Sequence, residues 1–277
     1  MTKNNQVKNW KSERVKKLVS FDGLLFHFST FSLIHFFMFY KIFDSLLTLA
    51  YPQACQICEN SVENLADGVA CQPCWTKTNL FSGIETLCAK CGAFLQSKPS
   101  DFQTFCHRCD EHFYDSACAV GIYELALSAS VLHLKREPFV AKKLQKLFVS
   151  RFQSSDFQDA TLIVPVPLSK KRLLERGFNQ AAVLSKILAK QISVNLDEQS
   201  LVRKIHTPMH RVGMDGKARE MSVENAFEVK RPKLIRGENV LLVDDVFTSG
   251  ATVSSCAKIL KENNANKVYV ITLAKTL

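Results

Sequence analysis

Val240 to Thr252, reading VLLVDDVFTSGAT, restricts the possible folds of this chain more than any other stretch. An apolar run that meets two adjacent carboxylates, then hydroxyls around a glycine, then an amphipathic run, predicts a buried strand, a phosphate-sized loop and a helix N-terminus. After Gly250, residues Val253, Cys256, Ala257 and Leu260 fall at i, i+3, i+4 and i+7, so one helical face is apolar. Carboxylates at the C-terminal end of a strand accept hydrogen bonds from sugar hydroxyls, and unpaired N–H groups of the loop and first helical turn hold a phosphate. A 5-phosphorylated ribose presents both groups.

The chain around this stretch alternates in the same way. Strands are expected at Cys118 to Tyr123, Thr161 to Val164, near Leu201, at Val240 to Val243 and at Lys267 to Leu273. Helices are expected at Leu125 to Lys135, Phe139 to Phe152, Asn179 to Gln191 and Thr252 to Asn263. Apolar strands separated by amphipathic helices predict an α/β domain with a mainly parallel sheet flanked by helices on both faces. Ligands of such sheets bind beyond the C-terminal ends of the strands, where both the acids and the Val164-Pro-Val-Pro167 segment fall. Lys170, Lys171, Arg172 and Arg176 follow the second proline closely, a cluster suited to a diphosphate through charge-assisted bonds or to a solvated helix start. Arg203 to Arg219 is long, glycine-containing and poor in apolar residues, as a mobile lid or an ordinary surface loop is.

Ahead of this region stand four CxxC pairs: Cys55/Cys58, Cys71/Cys74, Cys88/Cys91 and Cys106/Cys109. Twelve residues separate Cys58 from Cys71 and fourteen separate Cys91 from Cys106, close to the spacing of tetrathiolate zinc ribbons. The expected ligand sets are Cys55, Cys58, Cys71, Cys74 and Cys88, Cys91, Cys106, Cys109, holding one or two structural Zn2+. Four sulfurs leave no open coordination position, which disfavours catalytic zinc. Disulfides would need an oxidising compartment, and redox-active pairs would need a thioredoxin-like βαβ context. His107 reads as exposed loop, and Cys256 as core packing.

The first 37 residues carry six basic and two acidic side chains, residues 38–113 five and eight, and residues 114–277 twenty-five and sixteen. A polyanionic partner is therefore expected at the C-terminal part. Leu24 to Tyr40 has no formal charge and many phenylalanines, but its 17 residues fall short of the ~20 that span a bilayer. Basic residues ahead of such a span would also send the remainder across the membrane. Three readings stand for this segment: translation starting at Met38, an anchor, and an interfacial or packed helix. The division expected is 1–37 as a basic and apolar extension, 38–113 as a small double zinc-ribbon domain, and 114–277 as the α/β domain.

The pattern Asp244, Asp245, Thr248, Ser249, Gly250, Ala251, Thr252 resembles the phosphoribosyl diphosphate (PRPP) binding motif of type I phosphoribosyltransferases, with serine in place of the second threonine. Zinc ribbons, the proline loop with Arg176-Gly-Phe-Asn-Gln180, Arg219 with Asn225-Ala-Phe, and this motif occur in the order of the ComF family (ComFC and GntX-like proteins). His210, where that family more often has glutamine, is a departure. The resemblance implies that Asp244 and Asp245 orient the ribose, that Thr248 to Thr252 hold the 5-phosphate, and that Lys170, Lys171 and Arg172 meet the diphosphate. It also implies a catalytic role for Arg176 and a lid carrying Arg211, Lys217 and Arg219, with Mg2+ accompanying PRPP. The function implied is a cytoplasmic phosphoribosyltransferase in natural transformation, with single-stranded DNA and a competence helicase or other competence proteins as partners. The alternative is a non-catalytic sensor of PRPP or nucleotide that binds single-stranded DNA.

Overall fold

The computed structural model describes residues 53–82, 85–95, 104–109, 111–204 and 226–277. The N-terminal extension, the Met38 start, His210 and the lid cations Arg211, Lys217 and Arg219 lie outside the described residues. In chain order, β1 (Gln53–Ala54) and β2 (Ser61–Val62) form an antiparallel pair, followed by α1 (Gln72–Lys77). Then come β3 (Ser116–Ile122), α2 (Leu125–Leu134), α3 (Lys142–Gln153), β4 (Leu162–Pro165), α4 (Lys170–Arg176), α5 (Gln180–Ile192) and β5 (Asn195–Leu196). The chain closes with β6 (Leu201–Arg203), β7 (Phe227–Val229), β8 (Asn239–Phe247), α6 (Ala251–Glu262) and β9 (Lys267–Lys275).

Five strands make one parallel sheet in the order β3-β9-β8-β4-β5, while β6 and β7 pair antiparallel beside it. Alternation along the strands divides the apolar side chains between two faces. Leu241 and Val243 of β8, with Tyr269 and Ile271 of β9, pack against Leu127 of α2, Phe148 of α3 and Leu184 of α5. Val240 and Leu242, with Val268 and Val270, face Val253, Cys256 and Leu260 of α6 and Leu201 and Phe227 of the small sheet. Each face also carries one group of cysteines. Cys55, Cys71, Cys74 and Trp75 join the first core, whereas Cys88, Cys91, Cys109 and Tyr114 join the second.

The cysteine region also covers the outer edge of β3, which would otherwise present unpaired backbone groups. Phe81 N donates to Val120 O at 2.9 Å, Ile122 N to Asn79 O at 2.9 Å and Ala117 N to Lys90 O at 2.6 Å. Gly121 is required there, because a Cβ would lie 2.4 Å from the carbonyl oxygen of Asn79. Gln53–Leu277 packs as one compact unit. Among the described residues no helix is long and apolar enough to cross a membrane.

The expected elements are present with ends shifted by a few residues, α3 beginning at Lys142 and not at Phe139, and with two further differences. The strand expected over Val240 to Val243 continues to Phe247, because β9 stays in register beside it as far as Phe247 opposite Lys275. The basic run after Pro167 is a helix, α4, started by the Ser169 side chain accepting from Arg172 N at 3.4 Å and ended by Gly177 at φ 78°.

Candidate functional site

On its β4 side, β8 is paired only as far as Val243 opposite Pro165. Beyond that point β4 leads into the proline loop; ligands of open parallel sheets bind in the crevice at this C-terminal end, where strand neighbours diverge. Asp244 and Asp245 are the first two residues of β8 past the pairing, and their side chains interact directly. Asp245 is buried, with Oδ2 accepting from Gln180 Nε2 at 3.3 Å and lying 3.5 Å from Lys135 Nζ at the end of α2. Asp244 is half-buried and its Oδ1 accepts from the Asp245 N–H at 2.8 Å. Burial pushes the Asp244 carboxyl well above the usual carboxylate range, and the charge of Asp245 adds to the rise.

Two guanidiniums supply the opposing charge. Burial and the neighbouring Arg176 depress the pKa of Arg172, while Glu175, Asp245 and Asp244 act to raise it. Burial and Arg172 depress that of Arg203, against the pull of Cys256 and Asp244. Arg203 also lies with its guanidinium 5.2 Å from the centre of the Phe227 ring.

The turn after β8 exposes Thr248 and Ser249, then buries Gly250 at φ 83° directly before α6. An L-residue would be strained at that φ, and a Cβ would stand 2.7 Å from Phe247 Cζ and 3.2 Å from the ring of His112. Ser249 Oγ accepts from Ala251 N at 3.4 Å, while the first-turn amides of Thr252 and Val253 have no carbonyl within the helix to bond. Free amides at a helix N-terminus can hold an anion.

Of the residues singled out by sequence, Asp244, Asp245, Thr248, Ser249, Gly250, Ala251 and Thr252 meet at one end of the sheet. Arg172 approaches them electrostatically, and Arg176 connects through Gln180, whose Oε1 accepts from Nη1 at 2.9 Å. Lys170 and Lys171 are exposed on α4, and no ion pair from either to the carboxylates is present among the described residues. Lys135 and Gln180 as partners of Asp245, and Arg203 beside Asp244, were not anticipated. A lysine that closes an apolar helix, and a glutamine three residues after a glycine, carry no local signal of that role.

The eight CxxC cysteines form two groups in which all sulfurs of a group lie within 4.8 Å of one another. Sγ separations are 3.8 Å for Cys55–Cys74, 3.5 Å for Cys58–Cys71, 3.4 Å for Cys88–Cys109 and 3.6 Å for Cys91–Cys106. A tetrahedron with Zn–S bonds of about 2.3 Å has edges of about 3.8 Å, so both sets fit a zinc ion. Backbone donors prepare the thiolates: Cys71 N points at Cys55 Sγ and Cys106 N at Cys88 Sγ, each at 3.3 Å. Burial acts to raise these two thiols, but the surrounding N–H groups outweigh it and bring Cys55 down to about 6 and Cys88 to about 7. The buried hydroxyl of Tyr114 has no hydrogen-bond partner among the described residues; burial, then the charge of Cys91 and Cys109, push its pKa up. His107 is exposed beside Cys106 and belongs to neither group.

A family profile described as a phosphoribosyl transferase domain matches residues 178–276, and one described as a double zinc ribbon domain matches residues 46–110. DNA utilization protein YhgH of Salmonella typhimurium is 32% identical over 204 residues, covering 69% of this chain and 85% of that protein. YhgH of Escherichia coli K12 is 29% identical over 237 residues, 83% of this chain and 100% of that protein. Competence protein F of Haemophilus influenzae is 26% identical over 231 residues, 80% of this chain and 96% of that protein. By this likeness, and by the order of its cysteine modules and phosphoribosyl transferase motif, the chain belongs to the ComF family, which includes YhgH and competence protein F.

Proposed function

We propose that the crevice binds PRPP together with Mg2+, and that the protein serves the use of external DNA, a role in keeping with relatives named DNA utilization protein and competence protein. The observation that carries this reading is the position of Asp244 and Asp245 at the open end of β8, immediately ahead of the Gly250 turn and the N-terminus of α6. In this reading the two carboxylates take the ribose hydroxyls and the Thr248–Thr252 turn takes the 5-phosphate. Lys170, Lys171 and Arg172 attract the diphosphate, and Arg176 holds Gln180 against Asp245. Mg2+ bound beside Asp244 and Asp245 would supply positive charge to the anionic substrate, with most of its ligands from PRPP and water.

The reaction supported is attack of a nucleophile on the anomeric carbon with diphosphate leaving. The chain contributes positioning and charge around the departing group. Residues 38–113 act as a closed double zinc-ribbon scaffold and residues 114–277 as the transferase part, in the cytoplasm. Titration calorimetry with PRPP and Mg2+, followed by a screen of bases and amines for diphosphate release, tests the reading. Binding that disappears in an Asp244→Asn/Asp245→Asn double variant supports it, and a wild-type protein that takes up no PRPP overturns it.

The surface of α4 favours a second reading, in which PRPP or a nucleotide is a signal and single-stranded DNA is the cargo. Lys170 and Lys171 are exposed there next to Leu173 at 44% and Leu174 at 85% exposure, a mixed basic and apolar strip at the crevice. A single strand uses such strips through phosphate charge and base contact. DNA binding without diphosphate release by any acceptor would select this reading.

A further inference from the structure

The two cysteine modules differ in what they touch. The first is fastened to α3: Lys143 Nζ lies 3.1 Å from Asp67 Oδ1 and 5.1 Å from the centre of the Trp75 ring, and Trp75 Nε1 donates to Asp67 O at 2.9 Å. The second is built into the back of the phosphate turn. Cys109 O accepts from His112 N at 3.2 Å, and Lys90 Nζ, one residue before Cys91, donates to His112 O at 2.8 Å. The His112 ring so placed stacks on Tyr114 with centroids 5.0 Å apart and abuts Gly250. The next residue, Phe113, donates its N–H to Ser254 Oγ in the first turn of α6 at 3.2 Å, and its ring lies 5.5 Å from Lys258 Nζ.

A second tether comes from the end of β9. Lys275, buried, donates from Nζ to Cys91 O at 3.0 Å and places the same ammonium 3.6 Å from the centre of the Phe247 ring. Phe247 in turn contacts Gly250 and meets Tyr114 edge-on with centroids 6.0 Å apart. The turn that holds the phosphate is therefore packed from behind by side chains whose positions are set by Lys90, Cys91 and Cys109.

We infer that His112 and Lys275 are positioning residues which transmit the folded state of the Cys88/Cys91/Cys106/Cys109 module to the 248–252 turn, so that affinity for a 5-phosphorylated sugar depends on this module and not on the Cys55/Cys58/Cys71/Cys74 module. This inference rests on the reading of the turn as a phosphate site. Its chemistry is local: the turn has one conformation that points its amides at a phosphate, and the aromatic and ammonium contacts behind Gly250 select it.

The test uses the full chain with PRPP and Mg2+, ribose 5-phosphate and inorganic diphosphate as separate calorimetric probes, and amide hydrogen exchange across residues 248–254. His112→Ala and Lys275→Met are each expected to weaken PRPP and ribose 5-phosphate by about five- to tenfold, within the usual range of coupling between sites. Diphosphate affinity should be unchanged, and exchange of the turn should quicken. Lys275→Arg, which keeps a cation over Phe247, and His112→Phe, which keeps a ring against Gly250, should recover most of the loss. Lys143→Ala, which unfastens the first module from α3, should lower thermal stability and leave all three affinities alone. Equal weakening of all three probes, or unchanged binding and exchange in both variants, overturns the inference. If wild type binds neither sugar phosphate, the phosphate-site reading fails, and the exchange measurement alone then decides whether the module governs the turn.

Discussion

Lys135 Nζ lies 3.5 Å from Asp245 Oδ2, and Gln180 Nε2 donates to the same oxygen at 3.3 Å. One end of α2 and one end of α5 thus converge on a single carboxylate oxygen. The pair is largely withdrawn from water, with side-chain exposures of 29% and 10%, so its charge is weakly screened. Lys135→Met is expected to weaken PRPP binding by roughly ten- to a hundredfold, the scale of a lost hydrogen bond to a charged group at about 1.5–3 kcal/mol. Calorimetry beside Lys135→Arg checks this, with the arginine variant expected to bind more tightly than the methionine variant.

Asp244 gives a pH signature of opposite sense to a salt-bridged acid. Its carboxyl is held above the usual range by burial and by Asp245, so the folded protein binds this proton more tightly than the unfolded chain does. The stability it contributes is fully present below the ordinary carboxylate pKa of about 4 and is lost as pH rises through the raised folded value. Asp244→Asn should remove that loss and raise the melting temperature at neutral pH while abolishing PRPP binding. Thermal unfolding of wild type and variant across a pH series measures it; parallel curves would exclude the effect.

Gly250→Ala should fail twice, because φ 83° strains an L-residue and the new Cβ would stand 2.7 Å from Phe247 Cζ. A cost of roughly 1–3 kcal/mol in chemical denaturation is expected. PRPP affinity should fall further than stability does, since the turn cannot keep its amides aimed while making room.

Metal analysis of the purified protein should find two zinc ions per chain. Cys58→Ser and Cys106→Ser should each remove one, with a drop in melting temperature, because binding free energy of a closed site is folding free energy. A wild-type protein with one zinc should lose it in only one of the two variants, and the variant that keeps it would identify the vacant module.

If the α4 strip carries single-stranded DNA, replacing Lys170, Lys171 and Arg172 by alanine should lower affinity and flatten its salt dependence. Each lost phosphate contact is expected to reduce the slope by about 0.7 for a single strand. An unchanged slope in filter binding or anisotropy would place the DNA site elsewhere.

Much of the fold can be read locally because its signals are local. The apolar run into Asp244 and Asp245, the hydroxyl turn and the i, i+3, i+4, i+7 face of α6 describe a strand, a loop and a helix, and these elements are present. The CxxC spacing likewise gives the two sulfur sets, since each knuckle is a short turn. By contrast α4 has no buried side chain, so no apolar period marks it, and its start depends on the Ser169 cap. The end of β8 is equally invisible, because pairing with β9 and not composition carries the strand past the acids to Phe247.

By itself, then, the sequence determined which chemical groups the protein has and how they are strung along short elements: twin carboxylates, a phosphate-sized turn, a basic cluster and eight thiols. Only the tertiary structure decided that Lys135 and Gln180 share an oxygen of Asp245, that Arg203 stands near Asp244, and that the second cysteine module and not the first backs Gly250. Strand order and helix packing bring these partners together from distant parts of the chain, and no periodicity within a segment encodes a contact made between segments.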